Sequence, residues 1–122
     1  MKPKIYIAGP MRGRPNFNYP TFHFYAARAR EAGFEVENPA EIGATFGTPK
    51  EINDNRELLA AVVEAELYAL DTCHAICLLP GWERSEGARR ELARALQLGL
   101  RIYVAQTMTL DQLAQEKRRA AK

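Results

Sequence analysis

The sequence predicts an α/β fold of the flavodoxin- or Rossmann-like type, a three-layer sandwich whose mainly parallel sheet has about four to five strands. Three observations predict it. Short apolar runs alternate with longer segments of helical periodicity along the 122 residues. Strands that alternate with helices imply right-handed crossovers and a parallel sheet covered on both faces. Glycine-bearing turns follow the first and third apolar runs, where ligands bind in a sheet of strand order 2-1-3-4.

In the first half of the chain, two predicted strands flank one predicted helix. Residues 4–8 are a short apolar run that ends at a Gly-Pro pair, which predicts a strand. Residues 21–32 carry apolar side chains at helical spacing and stop at a glycine, which predicts a helix. Residues 34–37 form the second predicted strand, ended by an Asn-Pro pair. Residues 41–53 are rich in Gly, Thr and Pro and are predicted to be a mobile loop.

The second half repeats the alternation. Residues 55–70 form a long predicted helix, and residues 75–79 form the third predicted strand. Residues 85–98 are predicted to be a helix that begins at a serine cap and ends before a glycine. Residues 101–105 form the last predicted strand, and residues 109–121 a terminal helix capped by a threonine.

Size and composition exclude several classes of protein. Residues 1–122 are expected to form a single domain, and a net charge of +2 gives no electrostatic case for binding a nucleic acid polymer. Nothing resembles a signal peptide or a membrane span. Cys73 and Cys77 are too far apart on a strand to bridge, and His23 and His74 do not complete a metal site with them. We therefore expect buried cysteines, no metal, no membrane and a cytoplasmic location.

The two glycine-bearing turns have the composition of an anion site. Gly9 and Gly13 let the backbone approach a ligand, and Arg12 between them has the planar fork that binds phosphate. The alternative is a plain turn with a solvated arginine. In the second turn, Ser85 as helix cap and Gly87 just inside the helix leave backbone N–H groups free, which favours phosphate.

Three further residues have both a structural and a catalytic interpretation. Glu66 lies on the apolar stripe of its predicted helix, so it is either ion-paired or opens onto a cleft. Glu91 lies one turn into its helix, near the anion site, and the alternative for it is an ion pair with Arg94 or a neighbour. Tyr6 is either an ordinary core tyrosine or an active-site hydroxyl near the end of the first strand. A carboxylate held beside a phosphate site suggests covalent chemistry on a phosphorylated sugar.

These residues resemble the nucleoside 2-deoxyribosyltransferase superfamily. The closest branch is that of the deoxynucleoside 5'-monophosphate N-glycosidases, together with a small phage and bacterial family. The similarity covers residues 4–105 and rests on two motifs, YxxGxxRG and SxGxxxE, which correspond here to Tyr6, Gly9, Arg12 and Gly13, and to Ser85, Gly87 and Glu91.

The resemblance implies a role for each matching residue. Glu91 would be the nucleophile that attacks the anomeric carbon, Tyr6 would hydrogen-bond near it, and Glu66 would assist the base or the sugar. The substrate-binding residues, which include the phosphate contacts, would be Gly9, Met11, Arg12, Gly13, His74, Trp82, Ser85 and Gly87.

The chain departs from the superfamily pattern at three positions. The assisting acid is usually an aspartate, and Glu66 is one methylene longer. His74 replaces a second aspartate, where it either contacts the base or is a neutral packing residue. Pro10 removes one N–H group from the first turn.

The resemblance implies hydrolysis of the N-glycosidic bond of a (deoxy)nucleoside 5'-monophosphate, without a cofactor. Two other functions remain open at this point: base exchange on free deoxynucleosides, and non-catalytic binding of a nucleotide-derived signal. The partner would be a small nucleotide or nucleoside rather than a polymer. Because the site in this superfamily is commonly completed by a neighbouring subunit, a homodimer or larger oligomer is expected.

Overall fold

Four parallel strands form the central sheet of the computed structural model, which describes residues 2–105. The strands are β1 (Lys4–Ala8), β2 (Glu35–Glu37), β3 (Ala75–Leu78) and β4 (Arg101–Val104). Their order is β2-β1-β3-β4, and every neighbouring pair is parallel. This confirms the predicted fold class and strand order, and the central position of β1 and β3 puts their carboxyl ends side by side.

Five helices and two short 3-10 turns connect the strands within the described residues. The helices are α1 (Tyr19–Glu31), α2 (Pro39–Ala44), α3 (Pro49–Asp54), α4 (Arg56–Asp71) and α5 (Glu86–Leu98). The 3-10 turns are Pro15–Asn18 before α1 and Trp82–Arg84 before α5. Among these residues, none of the helices has the length and apolar character needed to cross a membrane. The predicted helix over residues 109–121 lies outside the described residues.

The alternation of side chains along β1 divides the core into two layers. Ile5 and Ile7 point to the face that α1 covers, where Phe22 packs against them. Tyr6 and Ala8 point to the opposite face, which α4 and α5 cover. All four strand residues are fully buried. A sheet with helices on both faces is the predicted three-layer arrangement, and it places Tyr6 beneath α5.

The segment predicted as a mobile loop, residues 41–53, is instead mostly helical, and that prediction was wrong. The Asn38 side chain accepts a hydrogen bond from the Ala40 N–H and caps α2. Thr48 and Glu51 form a capping box at the start of α3. Ile52 is 1% exposed, so α3 is held down by burial of its side chain. Proline at the start of each helix is compatible with helical geometry, although its abundance suggested a loop.

The two cysteines are buried thiols, as predicted. Cys73 and Cys77 form no disulfide, and burial raises the pKa of each to about 12. Thiols with such high pKa values remain protonated and behave as small apolar groups.

Candidate active site

A cleft of about 630 Å³ opens where β1 and β3 end. Its walls are the two glycine-bearing turns, α2, α3, α4 and the first turns of α5. Most of the predicted site residues line it: Gly9, Met11, Arg12, Gly13, Glu66, Ser85, Gly87 and Glu91. The structure therefore brings residues from opposite ends of the sequence to the sheet edge where parallel α/β folds bind ligands.

Glu91 is a buried carboxylate at the floor of this cleft, 8% exposed. Its Oε2 atom accepts a hydrogen bond from the Tyr6 hydroxyl at 2.5 Å. Arg94, the alternative partner considered for Glu91, instead makes a two-point ion pair with Asp71, with both N–O distances 2.8 Å. Glu91 is thus held by a fully buried tyrosine of the sheet and has no salt bridge to a neighbour on its own helix.

The orientation of Glu91 follows from local sequence. The Ser85 hydroxyl accepts a hydrogen bond from the Ala88 N–H at 3.1 Å and fixes the start of α5. Ala88 and Ala95, three and four residues from Glu91, are the buried face of the helix. Because alanine side chains are short, α5 lies close to the sheet, and Glu91 reaches Tyr6.

Glu66 is the second carboxyl group of the cleft. It lies on α4 beside Leu59, Val62 and Val63, all of which line the cavity. The apolar stripe recognised in the sequence is therefore the wall of the cleft, and Glu66 opens onto it. Burial, and next the negative charge of Glu91, raise the pKa of Glu66 to about 8, while Arg90 opposes the rise.

The two carboxyl groups form a coupled pair. Burial raises the pKa of Glu91 to about 7, against the opposing effects of the Tyr6 hydrogen bond and the Arg90 charge. Glu66 has no such donor among the described residues, so Glu91 ionises first and Glu66 keeps its proton. Burial and the Glu91 charge also raise the pKa of Tyr6 well above its usual range, so Tyr6 stays a donor. Once the pair has lost one proton, the site offers one carboxylate, on Glu91, and one carboxylic acid, on Glu66.

The start of α5 supplies free hydrogen-bond donors. The backbone N–H groups of Glu86 and Gly87 have no acceptor among residues 2–105, as expected for the first turn of a helix. A Cβ atom added to Gly87 would meet nothing within 4 Å, so the space in front of this turn is open. Open space beside free N–H groups at a helix start suits an anion.

The turn after β1 depends on one close approach. A Cβ atom at Gly9 would lie 2.7 Å from the Leu79 Cβ, so only glycine lets the first turn approach the end of β3. The Asn18 amide donates to the Pro10 carbonyl oxygen at 2.9 Å and ties the turn to the segment that follows. Asn16, Phe17 and Asn18 in that segment all have positive φ, a conformation that non-glycine residues rarely adopt.

Among the cleft residues that were not identified as site residues from the sequence are three arginines and a tyrosine. Arg14, Arg84 and Arg90 line the cleft, and Tyr19 extends its hydroxyl over Gly43 from the start of α1. The arginines lie within a few residues of the two predicted turns, and that proximity is the sequence signal that could have identified them.

Two predicted substrate contacts, His74 and Trp82, are absent from the cleft lining. His74 precedes β3, so it lies at the amino end of the strand, whereas the cleft lies at the carboxyl end. Its Nδ1 atom accepts a hydrogen bond from the Lys4 N–H at 3.0 Å. Trp82 packs against the core layer beneath α4 and α5. The structure therefore does not bring His74 to this cleft, because the length of β3 separates the two.

No group of three or more His, Cys, Asp or Glu side chains in residues 2–105 is arranged to hold a metal ion. Over residues 3–104 the chain matches the family model described as a domain of unknown function (DUF4406). None of the curated proteins matches it.

Proposed function

The chain belongs to the family described as DUF4406, and we propose from its site that it hydrolyses the N-glycosidic bond of a (deoxy)nucleoside 5'-monophosphate. The observation that carries this proposal is the buried Glu91 carboxylate, held by Tyr6 in a cleft that also contains a second carboxyl group and the free N–H groups at the start of α5. The proposal agrees with the resemblance of the sequence to N-glycosidases.

The first chemical step uses both carboxyl groups. Ionised Glu91 attacks the anomeric carbon of the sugar and forms a glycosyl ester, while the bond from that carbon to the base nitrogen breaks. Glu66, which keeps its proton near neutral pH, donates it to the leaving base. The proton thereby cancels the negative charge that develops on the base nitrogen as the base departs.

The second step returns the enzyme to its starting state. Water attacks the anomeric carbon of the ester, Glu66 takes up the proton of that water, and Glu91 leaves as a carboxylate. Two displacements at one carbon retain its configuration. The products are a free base and a sugar 5-phosphate.

The phosphate requirement rests on the donors at one end of the cleft. The free N–H groups of Glu86 and Gly87 and the guanidinium group of Arg12 would hold the 5'-phosphate. An unphosphorylated nucleoside has no group for these donors. This favours a nucleotide hydrolase over base exchange on free nucleosides.

The experiment is release of free base from a panel of ribo- and deoxynucleoside 5'-monophosphates, separated by chromatography. We expect release by the wild type, and a loss of about 10³-fold or more in Glu91→Gln, which keeps the shape and removes the nucleophile. Glu64→Gln is the matched control, because Glu64 is an exposed residue of α4 outside the cleft.

Each other result identifies a different function. Base exchange on unphosphorylated deoxynucleosides would replace the hydrolase with a transferase. Tight retention of intact nucleotide with no free base would replace it with a binding protein. Full activity of Glu91→Gln would overturn the mechanism.

We also infer that the protein acts in the cytoplasm as a homodimer or larger assembly. Free buried thiols suit a reducing compartment. Tyr68 on α4 and Leu96 on α5 are 76% and 63% exposed and give apolar surface for association. Light scattering that found only monomers would contradict the assembly.

A further inference from the structure

Three arginines at the phosphate end of the cleft have no carboxylate partner. Arg12, Arg14 and Arg84 all line the cavity, and none lies within 4.0 Å of a carboxylate oxygen in the described part of the chain. The ion pairs that do form are elsewhere: Arg30–Glu41, Lys50–Asp54 and Arg94–Asp71. All three arginines are exposed, and unpaired guanidinium groups that line one cavity suit an anionic ligand.

Arg14 and Arg84 meet at the same turn. The Arg14 Nη2 atom lies 2.9 Å from the position that a Cβ atom would occupy at Gly81. Gly81 has φ of +88° and begins the 3-10 turn that ends at Arg84, whose N–H donates to the Gly81 carbonyl oxygen at 3.2 Å. Arg14 and Arg84 therefore both belong to the wall of the cleft that forms where the turn after β1 meets the turn after β3.

Arg90 serves a different part of the cleft. Its charge lowers the pKa of both Glu66 and Glu91, so it compensates the carboxyl pair. Apart from the carboxyl pair Glu66 and Glu91, Glu86 is the acidic residue of the lining, and its charge offsets part of that of the three other arginines. With the partial charge of a helix start, roughly two and a half positive charges remain there.

A single phosphomonoester leaves about half to one unit of that positive charge uncompensated. It carries about −1.5 to −2 at neutral pH. If that phosphate binds the N–H groups at the start of α5 together with Arg12, then Arg14 and Arg84 remain for another anionic group. A second phosphate group supplies the missing charge and terminal oxygens that match a guanidinium fork.

We propose that Arg14 and Arg84 form a subsite for a second phosphate, so that the cleft binds nucleotides through a 5'-diphosphate group. This inference rests on the proposed function for the position of the first phosphate. The diphosphate group occurs in free nucleoside diphosphates and in diphosphate esters such as ADP-ribose. Glycosidic cleavage of such a ligand breaks the bond between sugar and base and leaves the diphosphate intact.

The test is equilibrium binding to Glu91→Gln, which holds nucleotides without turnover. The probes are the 5'-mono- and diphosphates of adenosine, guanosine, cytidine and uridine, with their deoxy forms, at low and high salt. We expect a diphosphate to bind at least about tenfold tighter than its monophosphate, a preference of about 1.4 kcal/mol that shrinks as salt increases.

Single substitutions identify the side chains responsible for the preference for diphosphates. Adding Arg14→Gln or Arg84→Gln should reduce the ratio of the two affinities to about one. Adding Arg89→Gln should leave the ratio unchanged, because Arg89 is an exposed residue of α5 outside the cleft. Thermal unfolding of each variant separates a lost subsite from a lost fold, and two arginines on different turns give two independent readings.

The outcomes also separate this inference from the proposed function. Monophosphates that bind as tightly as diphosphates would overturn the subsite, even if base release is found. A clear diphosphate preference without base release from any nucleotide would support the subsite and overturn the hydrolase. Binding of ADP-ribose as tight as that of ADP would support an esterified diphosphate, and binding of ADP alone would support a free terminal phosphate.

Discussion

Replacement of Tyr6 by phenylalanine removes a single hydroxyl group from beneath Glu91. The ring is fully buried in β1, and phenylalanine fills nearly the same volume, so the fold should be retained. The Glu91 carboxylate loses the hydrogen bond that it accepts at 2.5 Å. The variant therefore tests whether that hydrogen bond keeps Glu91, the proposed nucleophile, ionised.

The size of the effect follows from the energy of the lost bond. A hydrogen bond to a charged group is worth about 1.5–3 kcal/mol, and one pKa unit corresponds to about 1.4 kcal/mol. The pKa of Glu91, already raised by burial, should therefore rise by about one to two units more. Because attack requires the carboxylate, the acid limb of the pH dependence of kcat/KM should move up by the same amount.

The assay is base release from the best monophosphate substrate across the pH range, for wild type and Tyr6→Phe. Tyr25→Phe is the matched control, since Tyr25 packs against the other core layer beneath α1. An acid limb that stays in place in a folded Tyr6→Phe protein would refute the role given to this hydrogen bond.

The other predictions concern the effect of the Glu66 carboxyl group on the stability of the fold and the open space at the proposed anion site. Glu66 has a folded pKa of about 8 against a reference of 4.5, so the folded state binds the extra proton and stability falls as pH rises between these values. In urea unfolding, the free energy of unfolding of Glu66→Gln should equal that of wild type at pH 4 and exceed it by several kcal/mol above pH 8. Glu64→Gln should show no such gain above pH 8. Equal stabilities of Glu66→Gln and wild type above pH 8 would contradict the raised pKa of Glu66. Gly87→Ala adds a methyl group that meets no atom within 4 Å apart from its chain neighbours and the backbone of its own helix. The free energy of unfolding should therefore be unchanged or higher by up to about 1 kcal/mol. Its nucleotide affinity should fall, since the methyl group projects beside the free N–H groups, and an unchanged affinity in isothermal titration would place the phosphate elsewhere.

The sequence was sufficient for the sheet and for the residues at its edge. Strand order followed from the alternation of strands and helices, and the residues that immediately follow a strand necessarily lie at its carboxyl end. Glu66 was identified because a carboxylate on the apolar stripe of a helix is costly to bury unless it is ion-paired or opens onto a cleft. For these residues, position along one element determined position in the fold.

The failures have local causes. Residues 41–53 contain a capping box, but their Gly and Pro content outweighed it in the prediction. His74 was assigned to the site because the superfamily often has a second aspartate just before the third strand, and a four-residue strand of about 13 Å separates this position from the cleft. The contact of Arg14 with Gly81 joins two turns that are distant in sequence, and no short sequence pattern predicts such a contact.

The hydrogen bond between Tyr6 and Glu91 joins residues 85 positions apart. Tyr6 belongs to the first strand and Glu91 to the last helix described, so the pair forms only after β1, β3 and α5 have come together. A contact of this sequence separation is costly in loop entropy and forms with the global fold rather than with any one segment. The proposed nucleophile and its hydrogen-bond donor are thus brought together by the cooperative folding transition itself, and the proposed activity should appear during refolding with the complete fold rather than with early helix formation.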